Sequence, residues 1–242
     1  MNTPTEYTPV MFDGFDGSQL NAGLWVAANN KRGYGQEIFQ AENVSVHDSL
    51  LDIKCNSDYT SGEITSKGLR PYCYGWYEAS MKVPKGSGFW PAFWMLDSST
   101  PQTSWRELDI REEHGNHPER TYSHIHYGVY PSGVHTQWGA SYGNYSWDLT
   151  TEFHRTAIDW LPPSQANPLG RCDLYFDGHL YGSFVDSLFA TPMHMLFSFS
   201  VCKPLSTGLP PFGGLPDPLY PYPAHLLVDW VWVLKAARHE VQ

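Results

Sequence analysis

Apolar and polar residues alternate along short segments of the chain, and glycine and proline fall mainly between these segments. The pattern is clearest in residues 43–54, 61–67, 75–83 and 226–234. In each of them Val, Ile, Tyr or Trp recur with a period near two, which is typical of half-buried β-strands. Helical periodicity is almost absent. The pattern therefore predicts an all-β chain built from many short antiparallel strands.

The 242 residues are enough for one all-β domain with a sizeable core. Neither an internal repeat nor a change of composition marks a boundary, so we expect a single domain over residues 1–242. Many short strands in one domain favour two stacked antiparallel sheets, either a sandwich or a jelly roll. Residues 204–223 contain seven prolines and precede a clear strand. They predict a long surface loop, which in a compact domain is often functional.

Charge and composition narrow the possible partners. The formal net charge is −10, the opposite of what a phosphate-binding surface needs, so nucleic acid is not expected as a partner. Aromatic residues make up 15% of the chain and include ten Trp. Some of them must fill the core, and the rest fit an aromatic-lined cleft for sugar rings. The four cysteines, at 55, 73, 172 and 202, allow either disulfides or free buried thiols.

The chain shows no apolar stretch long enough for a membrane span. Its first residues lack the basic start and apolar run of a signal peptide. We therefore expect either that a signal has been removed or that the protein acts inside the cell.

Four acids lie within seven residues in the segment Trp105-Arg106-Glu107-Leu108-Asp109-Ile110-Arg111-Glu112-Glu113. In a regular strand Glu107 and Asp109 share a face, and Glu112 points to the opposite one. A β-bulge between Asp109 and Glu112 brings all three acids to one face. Without a bulge Glu113 takes that position, roughly 20 Å along the strand from Glu107, which is too far for a pair acting on one bond.

Two readings of these acids stay open on spacing alone. One is a solvated acidic strand with Arg106 and Arg111 as partners. The other is a glycosidase site, in which one carboxylate attacks the anomeric carbon and a carboxylic acid about 5–5.5 Å away protonates the leaving oxygen. A third acid between them can hydrogen-bond the nucleophile and raise the partner's pKa.

The segment from Glu107 to Glu112 resembles the E-x-D-x-x-E signature of glycoside hydrolase family 16. The resemblance runs in order from about residue 11 to the C-terminus. Its further landmarks are FDGFDGS at 12–18, YGWYEA at 74–79, GFWPAFWML at 88–96, FH at 153–154, DG at 177–178 and VDWV at 228–231. It implies a β-jelly roll with a substrate cleft on its concave face.

The resemblance also implies roles for the acids: Glu107 as nucleophile, Asp109 as its helper and Glu112 as general acid/base. The bulged spacing is similar to that of laminarinases, agarases, porphyranases and carrageenases. Residues 88–96 favour a retaining endo-hydrolase of β-1,3- or mixed-linkage β-glucan. Residues 34–40 and 198–202 depart from the laminarinase pattern, and residues 62–67 are similar to galactan-cutting members. An endo-β-galactanase, or a mucin-cutting enzyme, is therefore the alternative substrate class.

Aromatic residues and histidines are the candidates for substrate binding. Trp90 and Trp94 lie four residues apart, so they share a face of one strand, and Trp94 is similar to the laminarinase Trp that supports a sugar beside the scissile bond. Trp105 is expected at the cleft floor, and Trp138, in a glycine-flanked loop, at an outer subsite. His124 and His126 share a face, and His126 matches a family histidine near the active site. The role of Glu63 is left open.

The resemblance implies neither a cofactor for catalysis nor a partner other than a polysaccharide substrate. Asp229 matches an Asp that supplies a structural calcium ligand in many members, although one carboxylate alone does not make a calcium site. We expect a monomer that acts outside the cell or in the periplasm. The hypothesis from another class is a non-catalytic glucan-binding module, against which the three retained acids argue. Transglycosylation uses the same chemistry and stays open.

Overall fold

The alternating segments form antiparallel strands in the computed structural model, which describes residues 7–98, 104–129, 134–164, 168–185, 190–208, 211 and 213–236. A short 3-10 helix, Ala41–Asn43, precedes β5. The strands are β1 (Tyr7–Asp13), β2 (Val26–Ala27), β3 (Lys31–Arg32), β4 (Ile38–Phe39), β5 (Val44–His47), β6 (Leu50–Cys55), β7 (Thr60–Ser61), β8 (Glu63–Thr65), β9 (Gly75–Lys82), β10 (Phe89–Asp97), β11 (Ser104–Glu112), β12 (Arg120–Val129), β13 (Val134–Gly143), β14 (His154–Leu161), β15 (Arg171–Phe176), β16 (His179–Phe184), β17 (Met193–Val201) and β18 (Ala224–Ala236).

Two large sheets face each other. One has seven strands in the order β13-β12-β11-β10-β17-β8-β2. The other has eight, in the order β16-β15-β14-β9-β18-β6-β5, with β1 also paired to β18. A small third sheet joins β3, β4 and β7. Each large sheet combines strands that are consecutive in sequence, such as β10 to β13, with pairs from distant parts of the chain, such as β10 with β17 and β9 with β18. The predicted all-β sandwich is confirmed. That all 242 residues form one domain stays a prediction.

The core lies between the two large sheets and uses one face of each. On β10 and β11 the inward residues include Phe93, Met95, Leu108 and Ile110, all fully buried. The ring of Phe93 stacks on that of Phe197 at 4.5 Å and 7°. The residues in between point to the other face of the seven-stranded sheet, because side chains alternate along a strand. That outer face is therefore free to carry a polar and aromatic site.

Two of the sequence-based strands are divided in the structure. Residues 43–54 form the hairpin of β5 and β6, because Asp48 and Ser49 both adopt positive φ (51° and 56°) in the turn between them. This is the conformation of a two-residue hairpin turn with the twist that strands prefer. Residues 61–67 are interrupted at Gly62, where a Cβ would approach side-chain atoms of Ile53 and Val44 at 2.9 Å. The segments at 75–83 and 226–234 correspond to β9 and to most of β18.

Three further expectations have a clear outcome. Residues 204–223 form no strand wherever the structure describes them. All four cysteines are free thiols rather than disulfides. Within the described ranges, no helix combines the length and the apolar character that a bilayer span requires.

Candidate active site

A β-bulge in β11 brings the three acids together. On β12, Asp109 pairs with His124 and Glu112 pairs with Tyr122, so three steps along β11 correspond to two along β12. The same irregularity appears against β10, where Phe93 pairs with Arg111 and Trp94 with Asp109. Glu107, Asp109 and Glu112 consequently line one cleft on the outer face of the seven-stranded sheet. The predicted bulge is confirmed.

Glu113 lies on the inner side of the sheet, away from the cleft. It forms an ion pair with Arg111, Nε to Oε1 at 2.9 Å, and both side chains are buried. Arg111 also donates from Nη1 to the carbonyl oxygen of Met81 on the facing sheet, at 3.1 Å. The reading without a bulge, in which Glu113 takes the place of Glu112, is therefore wrong.

The solvated-strand reading is also wrong. Asp109 and Glu112 are each only 5% exposed. Arg106 pairs with Asp97 at 3.1 Å, and Arg111 points inward to Glu113, so neither arginine neutralises the cleft acids. Carboxylates that are buried without a cationic arginine need hydrogen-bond donors, and the neighbouring strands supply them.

Both oxygens of Glu112 accept hydrogen bonds. Trp90 on β10 donates from Nε1 to Oε1 at 2.6 Å, and Nδ1 of His124 on β12 is hydrogen-bonded to Oε2. His126 Nε2 lies 3.2 Å from Oδ2 of Asp109. The two flanking strands thus supply hydrogen-bonding partners for Glu112 and Asp109. Glu107 lies on β11 two residues before Asp109, on the same face of the strand.

The acids differ in their electrostatic surroundings. Burial and the negative charge of Asp109 raise the pKa of Glu107 to about 9. Burial and the charge of Glu112 raise the pKa of Asp109 well above its usual range. Burial also acts to raise the pKa of Glu112, but the hydrogen bond and charge of His124 outweigh it and hold that pKa below its ordinary value. The surroundings therefore raise the proton affinity of Glu107 and Asp109 and lower that of Glu112.

Trp94 and Tyr34 form an apolar wall beside the acids. Trp94 is 5% exposed, lines the cleft, and donates from its ring Nε1 to Ser198 Oγ at 3.1 Å. The ring of Tyr34 meets it edge to face, with centroids 5.1 Å apart. Trp90 lies on the same face and is half-buried. An apolar wall next to buried carboxylates is the environment that a sugar ring requires.

Tyr34 belongs to a loop that a buried glutamate anchors. Glu37 is fully buried; it accepts hydrogen bonds from the backbone N–H of Gly35 at 3.2 Å and of Val201, at the end of β17, at 2.8 Å. A Cβ on Gly35 would fall 1.7 Å from the carbonyl oxygen of Val201, so glycine is required there. Near this loop, Lys31 pairs with the buried Glu63 at 2.5 Å. This arrangement fixes Tyr34 at one end of the cleft.

This geometry agrees with comparisons to known proteins. The family model described as "Glycosyl hydrolases family 16" matches residues 18–179, more than half of the chain. The chain belongs to glycosyl hydrolase family 16. It is therefore a glycoside hydrolase by family, as its sequence resemblance implied.

Curated and solved members of family 16 are similar over much of this chain. A "Glucan endo-1,3-beta-glucosidase" of Cryptopygus antarcticus is 28% identical over 170 residues, covering 67% of this chain and 61% of its own length. A "Beta-glucanase" of Rhodothermus marinus is 29% identical over 258 aligned positions, covering 93% and 84%. The crystal structure of SCLam, described as a non-specific endo-beta-1,3(4)-glucanase of family GH16, is 25% identical, with a TM-score of 0.77 over 98% of this chain and 94% of that one.

The other residues expected in the family 16 cleft lie as follows. Trp105 is on the same face of β11 as Glu107, and its ring stacks on His126 with centroids 6.1 Å apart, but it is outside the set that lines the cleft beside the acids. Trp138 is not in a loop. It lies on β13 opposite Ile125, on the core side, and packs against Phe184. It is therefore unavailable as an outer subsite.

Four cleft residues were not named individually from sequence: Tyr34, Ala92, Ser198 and Ser200. The serines alternate with Phe197 and Phe199 along β17, so the period-two pattern was a usable signal for them. Tyr34 lies outside the strands, so the alternation of side chains along a strand does not predict the direction of its side chain.

Asp229 lies far from the cleft, on the eight-stranded sheet, at an irregularity of β18 between Val228 and Trp230. Among the described residues, one group of three His, Cys, Asp or Glu side chains has converging ligand atoms, and it consists of Asp109, His124 and His126. Asp229 is outside that group, and calcium prefers six to eight oxygens. Structural calcium at Asp229 stays a prediction.

Proposed function

We propose that this protein is a retaining endo-β-glucanase in which Glu107 is the nucleophile, Glu112 the general acid/base and Asp109 the positioning acid. The observation that carries the proposal is the bulge in β11, which collects three buried carboxylates in a cleft walled by Trp90, Trp94 and Tyr34. Two carboxyl groups beside an apolar sugar platform are the minimum that glycosidic bond cleavage requires.

The proposed reaction has two steps. In the first, the Glu112 carboxyl gives its proton to the glycosidic oxygen while a Glu107 oxygen attacks the anomeric carbon, so the glycosidic bond breaks and a glycosyl ester forms. In the second, Glu112 takes a proton from water, whose oxygen attacks the same carbon and releases Glu107. Each step inverts the anomeric carbon, so the product retains its configuration.

The reaction needs an ionised Glu107 and a protonated Glu112. The pKa shifts favour the opposite arrangement, since burial and Asp109 raise the pKa of Glu107 to about 9 while the pKa of Glu112 is lowered. The reactive form therefore requires a proton to move from Glu107 to Glu112. Positive charge developing at the anomeric carbon favours an ionised Glu107, so we infer that substrate binding drives this shift.

The proposed substrate is a β-1,3- or mixed-linkage β-glucan. The similar proteins from Cryptopygus, Rhodothermus and the SCLam structure are all named as β-glucanases, which does not favour the galactan or mucin alternatives. Retention of Glu107, Asp109 and Glu112 in a buried cleft also argues against a glucan-binding module without activity. Hydrolysis and transglycosylation share the first step proposed here.

The test is reducing-end release from laminarin, mixed-linkage glucan, agarose, porphyran and carrageenan by the unmodified protein and by Glu107→Ser and Glu112→Ala. We expect activity on the glucans, retention of the β-configuration in the first NMR spectra of the product, and loss of roughly a thousandfold or more in either variant. Glu42→Gln is the control, because that acid is exposed and lies outside the cleft. Full activity in Glu107→Ser or Glu112→Ala contradicts the assignment.

The proposed reaction uses only side chains of the chain itself and needs no catalytic cofactor. A location outside the cell or in the periplasm, and a monomeric state, stay predictions.

A further inference from the structure

A second cavity lies where the edges of the two large sheets approach each other. We call it the rim cavity; the residues that line it include Tyr142, Trp147, Glu152, His154, Phe176 and His179. They come from β13, the chain between β13 and β14, and the first or last residues of β14, β15 and β16. The volume is about 420 Å³, within the range of small-molecule sites.

The rim cavity is separate from the candidate active site. On β13, Gly139 faces the cleft side, since a Cβ there would lie 2.7 Å from the ring of His124. Tyr142 is three residues further along the strand, so it points to the opposite side of the sheet. A molecule in the rim cavity is thus on the other side of this sheet from Glu107 and Glu112.

Five of the residues that line the rim cavity carry aromatic rings. Tyr142 lies at its centre, with ring centroids 5.5 Å from Trp147, 5.8 Å from Phe176 and 6.3 Å from His179. His154 stacks on Phe176 at 5.1 Å. Trp147 is 41% exposed, so much of its ring is accessible to a ligand.

The polar groups of the rim cavity leave hydrogen-bonding capacity for a ligand. Asp148 is paired with Lys85 at 3.0 Å, and Asp177 with His154 Nδ1 at 2.7 Å. Glu152 is exposed and has no hydrogen bond or ion pair among the described residues. The Nε2 atom of His154 is buried and also has no hydrogen-bond partner in the described part of the chain.

These groups select a neutral, hydroxyl-rich ligand. The unpaired carboxylate of Glu152 repels an anion such as a sulfated glycan. Among the described residues, His, Cys, Asp or Glu ligand atoms converge in threes only at Asp109, His124 and His126 in the cleft, and the rim cavity holds no such group. A neutral sugar instead offers C–H faces to the rings and hydroxyl groups that can both donate and accept.

We propose that the rim cavity is a second saccharide-binding site, which holds the glucan substrate at a distance from the cleavage point. The inference rests on the proposed function for the identity of the sugar, and on Tyr142, Trp147 and Glu152 for the site. Its effect is greatest on long or insoluble chains, because only these can occupy both sites at once.

The first test measures binding to an insoluble β-1,3-glucan in a Glu107→Ser background, where the polymer is not degraded. Trp147→Ala is expected to raise the apparent Kd about fivefold, the loss of one ring contact. The matched control is Tyr145→Ala, which removes an aromatic ring that is 80% exposed, two residues away and outside the cavity. Trp147→Phe keeps a stacking ring and should bind nearly as well as Trp147, which separates loss of contact from loss of fold.

The second test uses the active protein. Trp147→Ala should lower the rate on the insoluble glucan and leave kcat/KM on a soluble β-1,3-linked hexasaccharide unchanged. Unchanged binding in Trp147→Ala overturns the proposal, and so does an equal loss in Tyr145→Ala. Failure of the proposed function gives a different result. The unmodified protein then releases no reducing ends from any glucan, while a binding loss specific to Trp147→Ala still supports the site.

Discussion

His124 is hydrogen-bonded through Nδ1 to Oε2 of Glu112, although in backbone register it pairs with Asp109. The bulge in β11 causes this offset, since it moves Glu112 along the strand and turns it to the side of His124. The acid expected to protonate the leaving group is thereby held by a histidine of the next strand and by Trp90 of the preceding one.

Removing the His124 ring should change the pH dependence of the reaction. A hydrogen bond to an ionised carboxylate lowers its pKa, so His124→Ala should raise the pKa of Glu112. The alkaline limb of the kcat/KM profile reports loss of the proton that Glu107 and Glu112 exchange, and a higher proton affinity of Glu112 moves that limb to higher pH. We also expect kcat/KM at the optimum to fall roughly 10- to 100-fold, the value of a hydrogen bond to a charged group.

The measurement is the kcat/KM profile of the unmodified protein, His124→Ala and the control His117→Ala. The His117 side chain is 45% exposed and pairs with Glu119, outside the cleft. A move of the alkaline limb to lower pH in His124→Ala contradicts the role given to His124.

Glu107 should reduce stability at alkaline pH. Its pKa in the folded protein, about 9, is above the value near 4.3 of an unfolded chain. A raised pKa means that the folded state binds the Glu107 proton more tightly than the unfolded state does. This proton contributes fully to the free energy of unfolding below the pKa of the unfolded chain, and the contribution is lost as pH rises to about 9. Glu107→Gln lacks this loss and should be more stable than the unmodified protein at about pH 8, but similar to it near pH 4.

Urea unfolding at the two pH values measures the effect. Glu42→Gln, which changes an exposed acid, serves as the control. The prediction fails if Glu107→Gln loses as much stability between the two pH values as the unmodified protein does.

Tyr34 should contribute to substrate binding more than to the chemical step. Its ring supports Trp94 and lines the cleft, and the proposed reaction gives it no proton-transfer or nucleophilic role. Tyr34→Ala should raise KM about five- to tenfold with a smaller change in kcat, since removal of uniform binding acts on KM. Tyr34→Phe keeps the ring and should stay close to the unmodified protein. A fall in kcat without a change in KM would contradict this role for Tyr34.

Reducing agent should leave stability unchanged. All four cysteines are free, and three of them, Cys55, Cys172 and Cys202, are buried. Burial raises the pKa of the Cys55 thiol to about 12, which keeps it protonated and unreactive. Melting curves with and without dithiothreitol should agree within about 1 °C. Native alkylation should modify the half-buried Cys73 first. A large decrease in Tm on reduction would reveal a disulfide.

Much of the fold and of the acid cluster could be predicted because both depend on local periodicity. Alternation in residues 75–83 and 226–234 identified β9 and most of β18. The odd-even mismatch between Asp109 and Glu112 required a bulge, and the bulge is present. The mistakes concern turns and loops. The positive φ of Asp48 and Ser49 divides a segment that reads as one strand, and Trp138 lies on β13 rather than in a glycine-flanked loop.

The amino-acid sequence by itself determined which residues alternate and how the acids are spaced, and hence that only a bulge brings Glu112 to the face of Glu107 and Asp109. Only the tertiary structure decided what each acid faces: His124 and Trp90 for Glu112, His126 for Asp109, and the core side with Arg111 for Glu113. Spacing along a strand fixes the face of a side chain, because side chains alternate with period two. The partner across the sheet depends on strand order and register, which residues distant in sequence set together.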